Sequence, residues 1–100
     1  MRLWIEPAAL KEIATLPGHL RQRVRRVAAD LQKTPRPPNS RTLSVPAELQ
    51  IDGVEARRLR LDSWRILYLI DAELSIITII AVRKRPPYNY DDLQELLSKR

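Results

Sequence analysis

The chain has no cysteine, two glycines and a single histidine in 100 residues. Without cysteine there is no disulfide scaffold, no thiolate zinc site and no cysteine nucleophile. Gly18 and Gly53 are too few for a dinucleotide fingerprint or a phosphate-cradling P-loop. His19 alone excludes a histidine-rich metal site and a two-histidine nuclease. No apolar run approaches the ~20 residues that a membrane helix needs. Met1 leads directly into Arg2-Leu3-Trp4-Ile5 without a signal-peptide core, which predicts a cytoplasmic protein.

What is abundant is positive charge. Eighteen Lys and Arg against 12 Asp and Glu leave a net charge of +6, and 14 of the 18 are arginine. The planar guanidinium suits bidentate phosphate contacts better than an ammonium does. A 44% apolar content makes this a globular chain rather than a basic tail, and the length predicts one domain spanning residues 1–100.

Along the chain, Leu3-Trp4-Ile5 reads as a short strand, followed by a helix from Pro7 to about Thr15 with Glu6 as its possible cap. Leu16-Pro17-Gly18-His19 breaks that helix, which places His19 in a turn. Leu20, Val24, Val27, Ala28 and Leu31 then recur at helical period, so the two helices should form an αα-hairpin. Prolines 35, 37 and 38 force an extended connector. Beyond it the period changes to that of strands. Leu43–Val45 reads as a short strand, and Glu55–Leu61, Arg65–Ile70 and Ser75–Val82 as three strong ones separated by short turns. Asp91–Lys99 reads as a closing helix, with Asp91 and Asp92 as caps. The expected class is α+β: a short N-terminal strand and an αα-hairpin packed on an antiparallel sheet of about four strands, with a short C-terminal helix.

A two-residue loop at Asp62-Ser63 would pair Leu61 with Trp64 and Arg60 with Arg65. Alternation then puts Arg58, Arg60 and Arg65 on one face and Leu59, Leu61, Ile66, Tyr68 and Ile70 on the other, against the helices. Arg57 points to that second side. Like charges placed opposite one another work against the sheet. The three arginines therefore mark either a solvated face or a seat for an anion. Arg83, Lys84 and Arg85 form a second cluster, followed by Tyr88 and Tyr90 on a proline-stiffened segment. The tyrosines suit base stacking beside an anchored phosphate, or equally the stapling of the last helix. Arg21, Arg23, Arg25 and Arg26 on the second helix are either a solvated face or a phosphate-contacting surface for a large RNA.

At Ala56–Tyr68, with its arginine strand, turn and aromatic-Arg-aliphatic-aliphatic-Tyr pattern, the sequence resembles the RelE/ParE family of small toxins from type II toxin–antitoxin systems. Ala9–Pro17 and the basic-then-tyrosine ending Arg83–Tyr88 are similar to family elements in the same order. The resemblance implies a RelE-like sheet with a helical hairpin, and one of two activities. One is ribosome-dependent mRNA cleavage, in which basic residues hold the scissile phosphate and promote attack by the neighbouring 2′-hydroxyl without a metal or other cofactor. The other is poisoning of DNA gyrase.

Carried over by position, Arg60, Arg65, Arg85 and Tyr88 are the candidate catalytic residues. Arg58, Arg83, Lys84, Tyr90, Arg21 and Arg25 are the candidate RNA contacts. Arg83 is the alternative to Arg85 as the late arginine, and Tyr90 the alternative to Tyr88 as the terminal tyrosine. Arg58 and Arg60 stand where the family has lysines, and an arginine cannot serve as a general base. Lys84, a tyrosine or no base at all fills that role. The implied partners are the ribosome, its mRNA and a cognate antitoxin with an acidic or amphipathic segment, with no membrane involved. A non-catalytic basic RNA-binding module is the remaining alternative.

Overall fold

The computed structural model describes residues 1–84 and Leu97. Strand β1 (Arg2–Ile5) leads through helices α1 (Pro7–Ala14) and α2 (Gly18–Leu31) to β2 (Ser40–Thr42), β3 (Val54–Leu61), β4 (Trp64–Asp71) and β5 (Ile76–Lys84). A single 3₁₀ turn, Ala47–Leu49, lies between β2 and β3. The strands form one sheet in the order β1-β5-β4-β3-β2. Four of them are antiparallel neighbours, and β1 joins β5 in parallel, making a mixed sheet of five. This is the expected α+β architecture with one more strand. The expected closing helix lies outside the described residues except for Leu97, which is helical and buried.

Pro7 opens α1 at a position where its missing N–H costs no hydrogen bond. Glu6 occupies the capping position, yet its side chain makes no capping bond. Gly18 and His19 are already the first turn of α2, with Pro17 before them, so the interhelical break is shorter than the sequence suggests.

The apolar stripe of α2 (Leu20, Val24, Ala28, Leu31) and Ala9 and Ile13 of α1 pack on Leu59, Leu61, Ile66, Tyr68, Ile70, Ile77, Ile79 and Val82. This is the main core. A smaller cluster on the other face joins Leu43, Ala56, Leu67, Leu69, Ile80 and Ala81 to Leu97.

The second strand is Ser40–Thr42, three residues ahead of the expected Leu43–Val45. Polar contacts, not apolar alternation, set it. The Arg57 guanidinium donates to Ser40 Oγ (3.0 Å) and Thr42 Oγ1 (3.3 Å), and Leu43 adds one further backbone bond to Ala56 at 2.8 Å. Arg57 is also paired with Glu55 at 2.6 Å, and Arg36 from the connector reaches the same carboxylate at 2.8 Å. Burial pushes the Glu55 pKa up, but the hydrogen bonds and charges of Arg57 and Arg36 outweigh it and hold the carboxyl below its ordinary 4.5. Folded Glu55 therefore binds its proton more weakly than unfolded Glu55, and on acidification the unfolded chain takes up that proton first. The resulting stabilisation is fully present above pH 4.5 and is lost as the pH falls through the folded-state pKa. Thermal unfolding followed across an acid pH series should show this loss in the wild type. A Glu55→Gln variant should be less stable at neutral pH and show a shallower fall below pH 4.5.

Tyr68 is fully buried and donates its hydroxyl hydrogen bond to the Pro35 carbonyl at 2.7 Å. That bond ties the proline connector to the sheet just before Pro38 and Asn39. Tyr68→Phe should cost about 1 kcal/mol, the net value of one such bond, in chemical denaturation.

Candidate anion-binding cleft

The β3–β4 hairpin has the register expected from its two-residue loop, with Leu61 opposite Trp64 and Arg60 opposite Arg65. Asp62 takes a φ of 56°, a left-handed conformation that aspartate tolerates better than most residues. Its carboxylate accepts from Arg23 of α2 at 2.6 Å, fastening the hairpin tip to the helix layer.

Directly opposed residues in a sheet share a face, so Arg58, Arg60 and Arg65 lie together on the side away from α1 and α2. The structure adds Arg41, which β2 places directly opposite Arg58. Together with Pro38 and Asn39, these four arginines line a cleft of about 350 Å³. No carboxylate lines it, and the side chains of Arg41, Arg58 and Arg60 make no ion pair or hydrogen bond among the described residues. Four arginines elsewhere are matched by carboxylates: Arg23 with Asp62, Arg36 and Arg57 with Glu55, and Arg83 with Glu12.

Two devices hold the cleft in place. Asn39 accepts from the Arg60 amide at 2.9 Å and donates its side-chain amide to the Arg60 carbonyl at 3.2 Å. Arg65 Nη1 donates to the carbonyls of Asp62 (3.0 Å) and Trp64 (2.9 Å), so its guanidinium is oriented before any ligand arrives. The remaining donors of that fork are available to an anion.

A bulge in β5 decides where the last basic residues fall. Leu67 pairs with Ala81 but Tyr68 pairs with Ile79, leaving Ile80 as the extra residue. Simple alternation from Ile77 and Ile79 would turn Arg83 toward the helices. The bulge instead brings Arg83 opposite Arg65 and Lys84 opposite Trp64, whose side chain packs on the helix-side core. Beyond Ile79 the outer edge of β5 has no strand beside it among the described residues. Glu12 of α1 takes over there, accepting from the Val82 amide at 3.2 Å and from the Arg83 side chain.

Arg58, Arg60 and Arg65 are thus brought together, Arg83 adjoins them in register but is engaged by Glu12, and Lys84 falls in the register of the opposite face. Arg21 and Arg25 lie on α2, across the sheet from the cleft. Arg21 donates to the Ala14 carbonyl at the end of α1 at 3.4 Å. Arg85, Tyr88 and Tyr90 lie outside the described residues. Among the described residues the cleft offers fixed positive charge and hydrogen-bond donors but no side chain able to accept a proton near neutral pH.

The fold is that of RelE. The structure is similar to the RelE–RelB complex of Pyrococcus horikoshii OT3 (20% identity, TM-score 0.74, 87% of this chain and 97% of that one). It is also similar to RelBE2 of Mycobacterium tuberculosis (24%, 0.67, 84% and 96%) and to the intact RelBE complex of E. coli (22%, 0.63, 83% and 94%). No curated protein sequence matches the chain. The family model of the ParE toxin of type II toxin–antitoxin system, parDE, matches residues 4–86. The chain belongs to the RelE/ParE family and is a toxin of a type II toxin–antitoxin system.

Proposed function

We propose that this toxin is a ribosome-dependent mRNA endoribonuclease that inhibits translation in the cytoplasm. The observation that carries the reading is the cleft of Arg41, Arg58, Arg60 and Arg65, in which no carboxylate among the described residues neutralises the charge. Opposed guanidiniums destabilise a sheet by some tenths of a kcal/mol per pair, and an anion seated between them turns that cost into binding.

In this reading Arg60 and Arg65 straddle the scissile phosphate. The neighbouring 2′-oxygen attacks phosphorus and the bond to the 5′-oxygen breaks, leaving a 2′,3′-cyclic phosphate and a 5′-hydroxyl. Negative charge builds on the non-bridging and leaving oxygens, where preorganised donors contribute most to the rate. The 2′-hydroxyl proton must go to an acceptor other than the four arginines; the phenolate form of Tyr88 or Tyr90 of the C-terminal segment is assigned that role, and the leaving 5′-oxygen takes its proton from water. Arg85 is the late arginine that the family resemblance assigns to the same phosphate. Lys84 is a weaker candidate because its register faces the other side of the sheet.

The three solved structures named above are toxin–antitoxin complexes. By analogy this toxin has a cognate antitoxin whose acidic or amphipathic segment covers the cationic cleft. The test of the catalytic reading is induced expression with mapping of new 5′ ends on mRNA. Ends within translated codons are expected, and growth arrest with intact transcripts would overturn it. Gyrase inhibition is the second reading, favoured by the match to the ParE family model. It predicts double-strand DNA breaks while translation at first continues.

A further inference from the structure

The cleft contains two guanidinium pairs, not one. Arg60 and Arg65 face each other across β3 and β4, and Arg41 and Arg58 face each other across β2 and β3. Arg58 and Arg60 are two residues apart on β3, so the rows are separated by about 6.8 Å along the strand. The second pair is also displaced by one strand, about 4.8 Å, which puts the pair midpoints roughly 8 Å apart. Side chains as long as arginine converge readily over that distance onto neighbouring phosphates of one strand.

We infer that Arg41 and Arg58 form a second phosphate subsite, which holds the phosphodiester adjacent to the scissile one in a single-stranded RNA. The inference rests on the RNA reading above and adds a residue, Arg41, that takes no part in the bond-breaking step. Both pairs line the same cleft, and neither Arg41 nor Arg58 is engaged by a side chain or backbone group among the described residues. The repetition of a like-charged cross-strand pair is the informative feature. One such pair is a tolerable cost on an exposed face, whereas two in adjacent rows form a diagonal cationic track. Pro38 and Asn39 line that track with Arg41, and Asn39 fixes the backbone of Arg60, so the two subsites keep a constant relation. Exposed Arg41 lies on an edge strand, and its truncation removes no buried contact.

The test is an NMR titration of the free toxin with 2′-O-methylated single-stranded hexanucleotides, which cannot be cleaved. Methylphosphonate linkages leave either one anionic phosphate or two adjacent ones. Wild type should bind the two-phosphate strand more tightly. Arg41→Ala should weaken that strand by about three- to tenfold, lower its salt slope by about 0.7, and weaken the one-phosphate strand less. Arg41→Lys should recover part of the loss.

Equal binding of both strands by wild type, or equal weakening of both by Arg41→Ala, would overturn the subsite and leave the RNA reading standing. Wild type that binds neither strand would overturn both. An acidic peptide whose binding needs Arg41, while the RNA strands are indifferent to it, would overturn the subsite in favour of a protein ligand.

Discussion

Arg65→Ala should reduce mRNA cleavage by about 10²- to 10³-fold, the loss that follows removal of one preorganised transition-state donor. The size of the effect comes from how Arg65 is held. Its Nη1 spends its donors on the carbonyls of Asp62 and Trp64, so the guanidinium meets the phosphate without first losing rotamer freedom. Arg65→Lys keeps the charge but loses the fork that makes those two bonds and grips the anion together, so it should recover only part of the activity. The stability cost of Arg65→Ala should stay near 1 kcal/mol, since the lost bonds end on partly exposed carbonyls. Arg36→Ala is the matched control. It also removes one positive charge, but from a pair with Glu55 away from the cleft, and cleavage should be unaffected. The measurement is the yield of new 5′ ends after induction, at equal amounts of folded protein. If Arg65→Ala and Arg36→Ala cleave equally, net charge rather than the cleft drives the reaction.

The residues in this prediction were readable in the sequence for a local reason. A two-residue loop admits one pairing of the strands it joins, and strict alternation does the rest, so Arg60 opposite Arg65 follows without knowledge of the whole fold. Arg41 was not readable in this way. Its strand is three residues long, follows the prolines, and is selected by the reach of Arg57 to Ser40 and Thr42, a contact between distant segments that leaves no periodic trace. The β5 bulge is equally silent, because Ile76–Val82 is apolar at nearly every position and alternation there carries no phase. The bulge nevertheless decides that Arg83 registers with Arg65. The pairing of Arg83 with Glu12 spans 71 residues and depends on β1 being too short to cover the end of β5. The parallel pairing of β1 with β5 likewise joins distant segments and leaves no trace in Arg2–Ile5.

Register links the core to the cleft, and Leu59→Ala tests that link. Leu59 lies between Arg58 and Arg60, is 2% exposed, and belongs to the cluster under α2. Truncation removes its buried methyl groups and leaves a cavity, a loss of about 2–5 kcal/mol. Against a total stability of about 5–15 kcal/mol for a domain, that is a large fraction. For 100 residues it should lower the unfolding midpoint by roughly 10–25 °C. The strand should nonetheless keep its pairing. A one-residue slip would turn Arg58 and Arg60 into the core, and each buried, unpaired guanidinium costs several kcal/mol, more than the cavity does. The charges that build the cleft therefore also forbid the competing register, so stability and site geometry should separate in this variant. Far-UV circular dichroism and calorimetry should show a native but weaker fold, with binding of the two-phosphate strand retained well below the new midpoint. A midpoint within a few degrees of wild type, or an intact fold that no longer binds the strand, would show that Leu59 does not hold β3 in the way its burial implies.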